Sequence, residues 1–276
     1  MFKRILVPTD GSECAALGTR YAVALAQKHK ASLLGIHVVD VKFLEGPFLR
    51  DLSASLGTAP YVNYQGNIAM LLEERGQAAL ETFRDACEAV GVPCDTAQVT
   101  GIVPRAIVEK AELADLIVMG IGGEHSEFLE GLMGSTTEAV IRRASQPVLV
   151  TSVDTPGATR FLVAYDGSNH ARHALKAAVS IATGWKMPLH LLSVGGEEAQ
   201  AAIDEARNYL QAYEVEVDYI CREGDPDDII VRYADECGAD LLVMGAYGHS
   251  KVRELVVGST TTYAINHAPC PVLLTR

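Results

Sequence analysis

Aromatic residues and positive charge are both scarce in this chain. Phe, Trp and Tyr make up 6% of the 276 residues, with a single tryptophan. The chain has 23 Lys and Arg residues and 35 Asp and Glu residues, which gives a net charge of −12. Broad nucleic-acid binding requires a basic surface that displaces counterions from phosphate, so this balance argues against nucleic acid as a partner. Hydrophobic residues account for 49% of the chain, which is enough for a full globular core.

Membrane spans, a leader and metal motifs are missing as well. No apolar run reaches the roughly 18 residues that indicate a transmembrane helix, and Pro8 and Asp10 interrupt the apolar core that a signal peptide would have. We therefore expect a cytoplasmic protein with no membrane partner. The absence of a Cys-x-x-Cys pair argues against a zinc or redox site and favours reduced thiols, at positions 14, 87, 94, 221, 237 and 270.

The chain contains an internal duplication. The segment KRILVPTDGSECAALGTRYAVALA from Lys3 aligns with TRFLVAYDGSNHARHALKAAVSIA from Thr159, and Asp10 matches Asp166 at an offset of 156. Further on, ADLIVMG matches ADLLVMG, and QPVLVT matches CPVLLT. A period this long indicates two tandem domains rather than a solenoid. We place the domains at residues 1–152 and 157–276, separated by the turn-rich segment SVDTPGA.

Each half alternates short apolar runs with segments of helical spacing, which predicts an α/β fold. Runs such as Ile5–Pro8 and Leu116–Met119 are apolar throughout, as in parallel strands that are covered on both faces. We predict five strands per half in a doubly wound sheet with helices on both faces, and Ser12 is placed to cap the first helix. The first half also carries an insert at about residues 41–66, for which a surface excursion or lid and a disordered loop are equal alternatives.

Two glycine-rich loops follow the fourth predicted strands, GIGGEHSEFLEGLMGST from Gly120 and GAYGHSKVRELVVGST from Gly245. In an open parallel sheet, ligands bind beyond the carboxyl ends of the strands, where the strand order reverses. Glycines there let backbone N–H groups approach a phosphate, and the helix that follows Gly-Ser-Thr presents its positive end. Ser135 and Ser259 are also expected to cap these helices. The alternative is that the glycines only make a tight turn.

With these features each half resembles a universal stress protein domain, and the resemblance covers nearly all of the chain apart from the insert and the linker. The ATP-binding branch of that family carries Gly-x2-Gly-x9-Gly-Ser/Thr, which the second half matches at Gly245, Gly248, Gly258 and Ser259. The resemblance implies a flavodoxin-like fold with strand order 3-2-1-4-5 in each half. It also implies dimer-like pairing through the fifth strands, made here between the two halves, with a homodimer as a further arrangement.

The same resemblance implies an adenine-nucleotide site in each half. The first-strand aspartates map near the adenosine and the metal, with a purely structural helix-start carboxylate as the alternative, and the residue that ends the second strand reads adenine through its backbone. The implied ligand is ATP, with AMP and ADP as alternatives, together with Mg²⁺. Its contacts in the second half are Asp166, Val194, Gly245, Gly248, Gly258, Ser259 and Thr260, and those in the first half are Asp10, Val38, Gly120, Gly123, Gly134, Ser135 and Thr136.

The first loop departs from the family pattern. Ten residues rather than nine separate Gly123 from Gly134, and this spacer has no Lys or Arg but has glutamates at positions 124, 127 and 130. The second loop carries Lys251 and Arg253 against a single glutamate. An added carboxylate ~4 Å from a phosphate charge costs roughly 1 kcal/mol in a water-like dielectric, so we expect ATP to bind more tightly in the second half.

The resemblance therefore implies an ATP-binding regulatory protein of the stress response, which passes a conformational state to unidentified protein partners. His125 and His249, which follow the loop glycines, have no obvious Ser or Asp partner arranged for acid–base chemistry, so we do not expect an enzyme beyond slow ATP hydrolysis. One alternative is a non-catalytic dimerisation or interaction module whose first site is vestigial, which the acidic first loop favours. Another is an adenylating enzyme, which the segments TDGSE and YDGSN oppose because they lack the paired glycines of its phosphate loop.

Overall fold

The computed structural model describes residues 2–42, 61–124, 132–154, 159–247 and 257–276. The first half alternates strands and helices as predicted. Its elements are β1 (Arg4–Pro8), α1 (Glu13–His29), β2 (Ser32–Asp40), α2 (Tyr61–Glu88), β3 (Cys94–Gly101), α3 (Val103–Ala111), β4 (Leu116–Gly120), α4 (Ser135–Arg143) and β5 (Val148–Thr151).

The second half repeats this order of elements. They are β6 (Phe161–Ala164), α5 (Asn169–Trp185), β7 (Leu189–Val194), α6 (Glu197–Leu210), β8 (Val217–Arg222), α7 (Pro226–Glu236), β9 (Leu241–Gly245), α8 (Ser259–His267) and β10 (Val272–Thr275). Helices α1 and α5 have the same length of 17 residues, as expected for a duplicated unit.

Helix α2 lies next to the predicted insert and partly within it. It begins at Tyr61, so the last part of the segment assigned to residues 41–66 is helical, whereas residues 43–60 lie outside the described part of the chain. At 28 residues α2 is longer than α1 or α5. In the described ranges, no helix has both the length and the apolar sequence that spanning a bilayer requires.

All ten strands form one sheet, in the order β3-β2-β1-β4-β5-β10-β9-β6-β7-β8. Neighbouring strands are parallel within each half, which confirms the order 3-2-1-4-5 that the family resemblance implied. β5 and β10 pair antiparallel, with Leu149 opposite Leu273. The seam between the halves is therefore a strand pair within one chain. A homodimer and the domain limits 1–152 and 157–276 stay predictions.

Helices cover both faces of the sheet because successive residues of a strand point to opposite sides. On β1, Ile5 and Val7 face a buried cluster formed with α1, α2, α5 and α6, whereas Leu6 faces a second cluster formed with α3, α4, α7 and α8. Each fully buried aliphatic side chain contributes roughly 1.5–3 kcal/mol relative to an exposed one. Both clusters contain residues of both halves, so each core layer continues across the seam.

Helices α1 and α5 begin and end in the same way. The hydroxyls of Ser12 and Ser168 accept hydrogen bonds from backbone N–H groups three residues further on, at 3.2 Å and 3.1 Å, which confirms the predicted cap at Ser12. Both helices end at a lysine in the left-handed conformation, Lys30 and Lys186, each with a φ of 54°. The matched ends place the last helical residues of α1 and α5 at corresponding positions of the duplicated fold.

Those last residues, His29 and Trp185, contact each other across the seam. Their ring centroids lie 5.0 Å apart, and Phe2 packs edge-on to His29 at 5.1 Å. His29 is 2% exposed, and neither of its ring nitrogens has a hydrogen-bond partner among the described residues. Burial, reinforced by the positive charges of Lys28 and Lys3, lowers the pKa of His29 to about 4. The imidazole at the seam is therefore neutral at pH 7.

Replacing His29 by leucine is expected to reduce the loss of stability at acidic pH. The unfolded chain protonates this histidine below its ordinary pKa of 6.5, but the folded protein does so only near pH 4, so folding stability falls as the pH drops through this window. The loss is on the order of 3 kcal/mol. Urea unfolding at pH 7 and pH 4.5 measures it in the wild type and in His29→Leu.

His267→Leu is the matched control, because His267 is exposed on α8. It is expected to keep the wild-type difference between the two pH values. A His29→Leu protein that loses as much stability on acidification as the wild type would contradict this assignment.

Candidate functional site

Two clefts lie at the carboxyl ends of the strands, one in each half. The first has a volume of about 360 Å³ and the second of about 300 Å³, which is at the lower end of the range for small-molecule and cofactor sites. They lie beside the β1–β4 and β6–β9 pairs, where the strand order reverses. Because β5 and β10 are antiparallel, the strands of the two halves run in opposite directions. The carboxyl ends of their strands, and with them the two clefts, therefore lie on opposite sides of the molecule along the strand direction.

Every candidate residue within the described part of the chain lines one of these clefts. Gly248, Lys251 and Arg253 lie outside the described residues. The first cleft contains Asp10, Val38, Gly120, Gly123, Gly134, Ser135 and Thr136, and the second contains Asp166, Val194, Gly245, Gly258, Ser259 and Thr260. Residues from separate stretches of the sequence thus meet in each cleft.

The aspartate of each Asp-Gly-Ser turn supports the start of the following helix. Asp10 Oδ1 accepts a hydrogen bond from the backbone N–H of Ser12 at 3.0 Å, and Asp166 Oδ1 accepts one from that of Ser168 at 2.9 Å. The glycines between them adopt left-handed φ values of 82° and 76°, which a side chain would strain. Each aspartate therefore has a structural role in addition to lining its cleft.

The first glycine of each loop is required by packing. A Cβ at Gly120 would lie 2.5 Å from the carbonyl oxygen of Cys14, and a Cβ at Gly245 would lie 2.8 Å from the Cβ of His170. Such contacts force the backbone of α1 or α5 to move. β4 and β9 therefore need these glycines to pack against the first helix of each half, whether or not a ligand binds.

The second glycine of the first loop packs against Asp10. A Cβ at Gly123 would lie 2.5 Å from Asp10 Oδ2, and the same oxygen accepts a hydrogen bond from the backbone N–H of Glu124 at 2.8 Å. The Glu124 carboxylate forms an ion pair with Arg75 of α2. The negative charge at position 124 is thus paired with a cation that the loop itself does not contain.

Helices α4 and α8 begin without a side-chain cap. Their N-cap residues are Gly134 and Gly258, so the prediction that Ser135 and Ser259 cap them is wrong. Both serines are already the first helical residues, where a side chain no longer reaches back to the first-turn amides as an N-cap does. N–H groups in a first helical turn have no acceptor within the helix. Each helix therefore presents such donors beside its cleft.

Each of these helices is tied to the strand that precedes its loop. Thr137 Oγ1 donates to the carbonyl oxygen of Gly120 at 3.1 Å, and Thr261 Oγ1 donates to that of Gly245 at 3.2 Å. Both threonines are buried. Because the two glycines are held by packing, these bonds fix the position of the helix N-terminus relative to the strand end.

The second strands differ between the two halves. Val194 ends β7, as predicted, but β2 continues past Val38 to Asp40. The longer strand follows from its register with β3, which pairs Asp40 with Gly101. The prediction that Val38 ends its strand is therefore wrong, although Val38 still lines the first cleft.

Comparison with known proteins identifies the family. A model of the universal stress protein family matches residues 1–152 and 194–276. A universal stress protein of Synechocystis sp. is 30% identical over 290 residues, which cover 99% of this chain and 100% of that protein. The chain belongs to the universal stress protein family. A universal stress protein of Methanocaldococcus jannaschii is 37% identical over 153 residues, which cover 54% of this chain and 82% of that protein.

A solved structure supports the fold of this universal stress protein. A universal stress protein from Archaeoglobus fulgidus superposes with a TM-score of 0.80 at 22% identity, and the match covers 99% of this chain and 98% of that one. The tandem flavodoxin-like architecture and the family resemblance drawn from the loop motifs are both confirmed.

Sequence reasoning missed several residues that line the clefts of this universal stress protein. His37 lines the first cleft, and its Nδ1 lies 2.9 Å from the carbonyl oxygen of Thr9. Tyr165 lines the second cleft, and its hydroxyl donates to Glu205 at 2.7 Å. Burial and the Glu205 carboxylate raise the pKa of Tyr165, so the hydroxyl stays protonated. Tyr165 directly precedes Asp166, a predicted site residue, and this neighbouring position in the sequence could have identified it as a cleft residue.

Gly120→Ala and Gly245→Ala are each expected to lower the free energy of unfolding by about 1–3 kcal/mol, because the added methyl group overlaps the backbone of α1 or α5. Urea unfolding measures the change. Gly184→Ala in α5 is the control, since a Cβ there meets nothing within 4 Å, and it is expected to leave stability unchanged or slightly raised. If Gly120→Ala is as stable as this control, the packing role is disproved.

Proposed function

We propose that this universal stress protein binds adenine nucleotide in both clefts and passes the bound state to protein partners in stress regulation. The ligand is ATP, with AMP and ADP as alternatives. The observation that carries the proposal is the pair of uncapped helix N-termini, at Gly134 and Gly258, beside clefts at the reversal points of a parallel sheet. Such N-termini favour anions through their unpaired N–H groups and the helix dipole.

The phosphate groups are assigned to the loop-and-helix wall of each cleft. In the first half the backbone N–H groups and hydroxyls of Ser135 and Thr136 supply donors, and in the second half Ser259 and Thr260 do so. Ser135 and Ser259 are exposed, so a ligand reaches them without a change in the core. Mg²⁺ would arrive with the triphosphate, and the carboxylates of Asp10 and Asp166 fit its preference for oxygen ligands.

The adenine ring is assigned to the apolar wall. Aliphatic and thioether side chains form that wall at corresponding positions, namely Ile36, Ile107 and Met119 in the first half and Leu192, Ile230 and Met244 in the second. Such a surface suits the faces of a planar ring, while orientation requires a few polar groups at its edge. The backbone groups near Val38 and Val194 are proposed to supply them.

The second cleft is proposed to bind ATP more tightly. In the first half, Asp10 already accepts a hydrogen bond from the Glu124 N–H, so this loop amide is not available to a phosphate. Among the described residues the Glu124 charge is balanced by Arg75 alone, whose side chain is 54% exposed, and exposed ion pairs are weak. The sequence of the second loop adds Lys251 and Arg253 instead of extra glutamates.

Catalysis is not part of the proposal. His37 is the histidine among the described residues that line the clefts, and its Nδ1 contacts a backbone carbonyl rather than a Ser or Asp side chain. Slow ATP hydrolysis stays the one catalytic alternative. The competing function is an interaction module with a vestigial first site, which the contact between Asp10 and the Glu124 N–H favours for the first half alone.

Ser259→Glu is expected to weaken ATP binding at the tighter site of the full-length protein by at least about tenfold, because a carboxylate at the first helical position repels phosphate. The fold is expected to persist, since acidic residues stabilise helix N-termini. Ser135→Glu is the equivalent change in the first half and is expected to affect only the weaker site. Isothermal titration with MgATP measures both sites.

Ser259→Gln and Ser135→Gln are the neutral controls, and both are expected to retain most of the affinity. The assignment of the tighter site is wrong if Ser135→Glu removes it and Ser259→Glu leaves it intact. The nucleotide proposal as a whole is rejected if the wild type, first freed of any nucleotide by denaturation and refolding, shows no ATP binding.

Arg75→Met is expected to weaken ATP binding in the first cleft severalfold, because it leaves the Glu124 carboxylate unbalanced beside the phosphate site. Arg84→Met, on the same helix but bonded to Thr96, is the matched control and is expected to change nothing. Titration in the Ser259→Glu background isolates the first cleft. Equal affinities in the two arginine variants would show that Glu124 does not influence the ligand.

A further inference from the structure

An apolar pocket lies at the seam between the halves, separate from both clefts. Its volume is about 80 Å³, and its lining comes from α1, α5 and the central strands. None of the residues that line the two clefts lines this pocket. A ligand bound here would therefore occupy a site distinct from the proposed nucleotide sites.

The pocket straddles the axis that relates the two halves. Its lining contains three pairs of corresponding residues, namely Leu25 with Ile181, Leu116 with Leu241, and Leu149 with Leu273. The last pair is directly opposed in the antiparallel register of β5 and β10. Because both halves contribute the floor and the walls, the pocket exists only where the two are packed together, and pockets of this kind are common at domain interfaces.

One part of the lining differs in chemistry from this apolar floor. Lys28 Nζ lies 4.0 Å from the centroid of the Trp185 ring, and both residues line the pocket. Trp185 Nε1 is buried and has no hydrogen-bond acceptor among the described residues. A buried N–H without an acceptor is unfavourable, and a ligand oxygen would relieve this after a small shift of the indole opens the N–H to the pocket. The ammonium and the indole N–H together match an anionic oxygen.

The other charged residue of the lining, Asp240, is already engaged. Its Oδ2 accepts hydrogen bonds from the backbone N–H of Thr159 at 2.7 Å, from the Thr159 hydroxyl at 2.6 Å and from the backbone N–H of Arg160 at 3.1 Å. This carboxylate holds the start of β6. Lys28, by contrast, is partly desolvated, which lowers its pKa, and a bound anion would favour its charged form.

We propose that the seam pocket binds a small amphipathic monocarboxylate. Its carboxylate pairs with the Lys28 ammonium and accepts a hydrogen bond from the Trp185 indole N–H, and its aliphatic chain lies on the leucine floor. The ligand contacts both halves at once, so its binding stabilises their packing.

Octanoate is the probe for this site in the full-length protein. Trp185 is the single tryptophan of the chain, so its emission and its one indole ¹H–¹⁵N resonance report on the pocket directly. Octanoate is expected to change the emission saturably and to shift the indole proton downfield as a hydrogen bond forms. Octan-1-ol, which has the chain without the charge, is expected to bind about tenfold more weakly, and octylamine more weakly still.

Lys28→Met keeps an apolar side chain of similar length and removes the charge. It is expected to raise the octanoate dissociation constant about tenfold and to leave that of octan-1-ol unchanged. Lys176→Met removes the same charge from an exposed position of α5 outside the lining and is expected to bind octanoate as the wild type does. Ala24→Leu fills the pocket from α1 and is expected to weaken both ligands. Circular dichroism checks the fold of each variant.

Three results would each overturn the proposal: no saturable change with octanoate, octylamine binding as tightly as octanoate, or an unchanged octanoate affinity in Lys28→Met. Saturating MgATP is expected to leave octanoate binding intact. Competition by ATP would show that octanoate occupies a cleft and would also reject the seam pocket as its site.

Discussion

The antiparallel pairing of β5 with β10 is the interaction on which the rest of the molecule depends. Each half alone would leave its fifth strand as an edge with unpaired backbone groups, which is a site for unwanted association. Pairing the two edges converts them into the centre of a ten-stranded sheet and lets both core layers run from one half into the other. Because the pairing is antiparallel, it places the two clefts at opposite ends of the strand direction. It also creates the pocket at the seam.

The loop-and-helix wall of each cleft is built chiefly from backbone. Gly120 and Gly245 allow strand ends to pack on the first helix of each half, and threonine hydroxyls tie the following helix to those strand ends. The result is a helix N-terminus that has no side-chain cap and is held in a fixed place. An anion site of this kind needs few charged side chains, which is consistent with a strongly acidic chain that is proposed to bind a polyanionic ligand.

The two halves differ most where the duplicated positions meet or where the loops diverge. At the seam, His29 occupies the position that Trp185 occupies in the other half, and the two rings pack together. In the first loop, Glu124 is paired with Arg75, a residue of α2, the helix that follows the insert. The charge of that loop therefore cannot be judged from its own residues, because its partner comes from a different element.

Local pattern determined a large part of this protein. Periodicity and the internal duplication predicted the alternating strands and helices and the cap at Ser12, while the loop motif indicated the family and hence the strand order. They also selected candidate residues that meet in each cleft wherever the structure describes them. Tertiary packing decided the rest. The N-caps of α4 and α8 are glycines rather than the predicted serines, because the N-cap is the residue with non-helical backbone angles directly before the helix. The register with β3 extends β2 beyond Val38. The ion pair of Arg75, the place of Tyr165 in its cleft and the seam pocket all arise from contacts between residues far apart in the chain. A local sequence pattern does not encode such contacts.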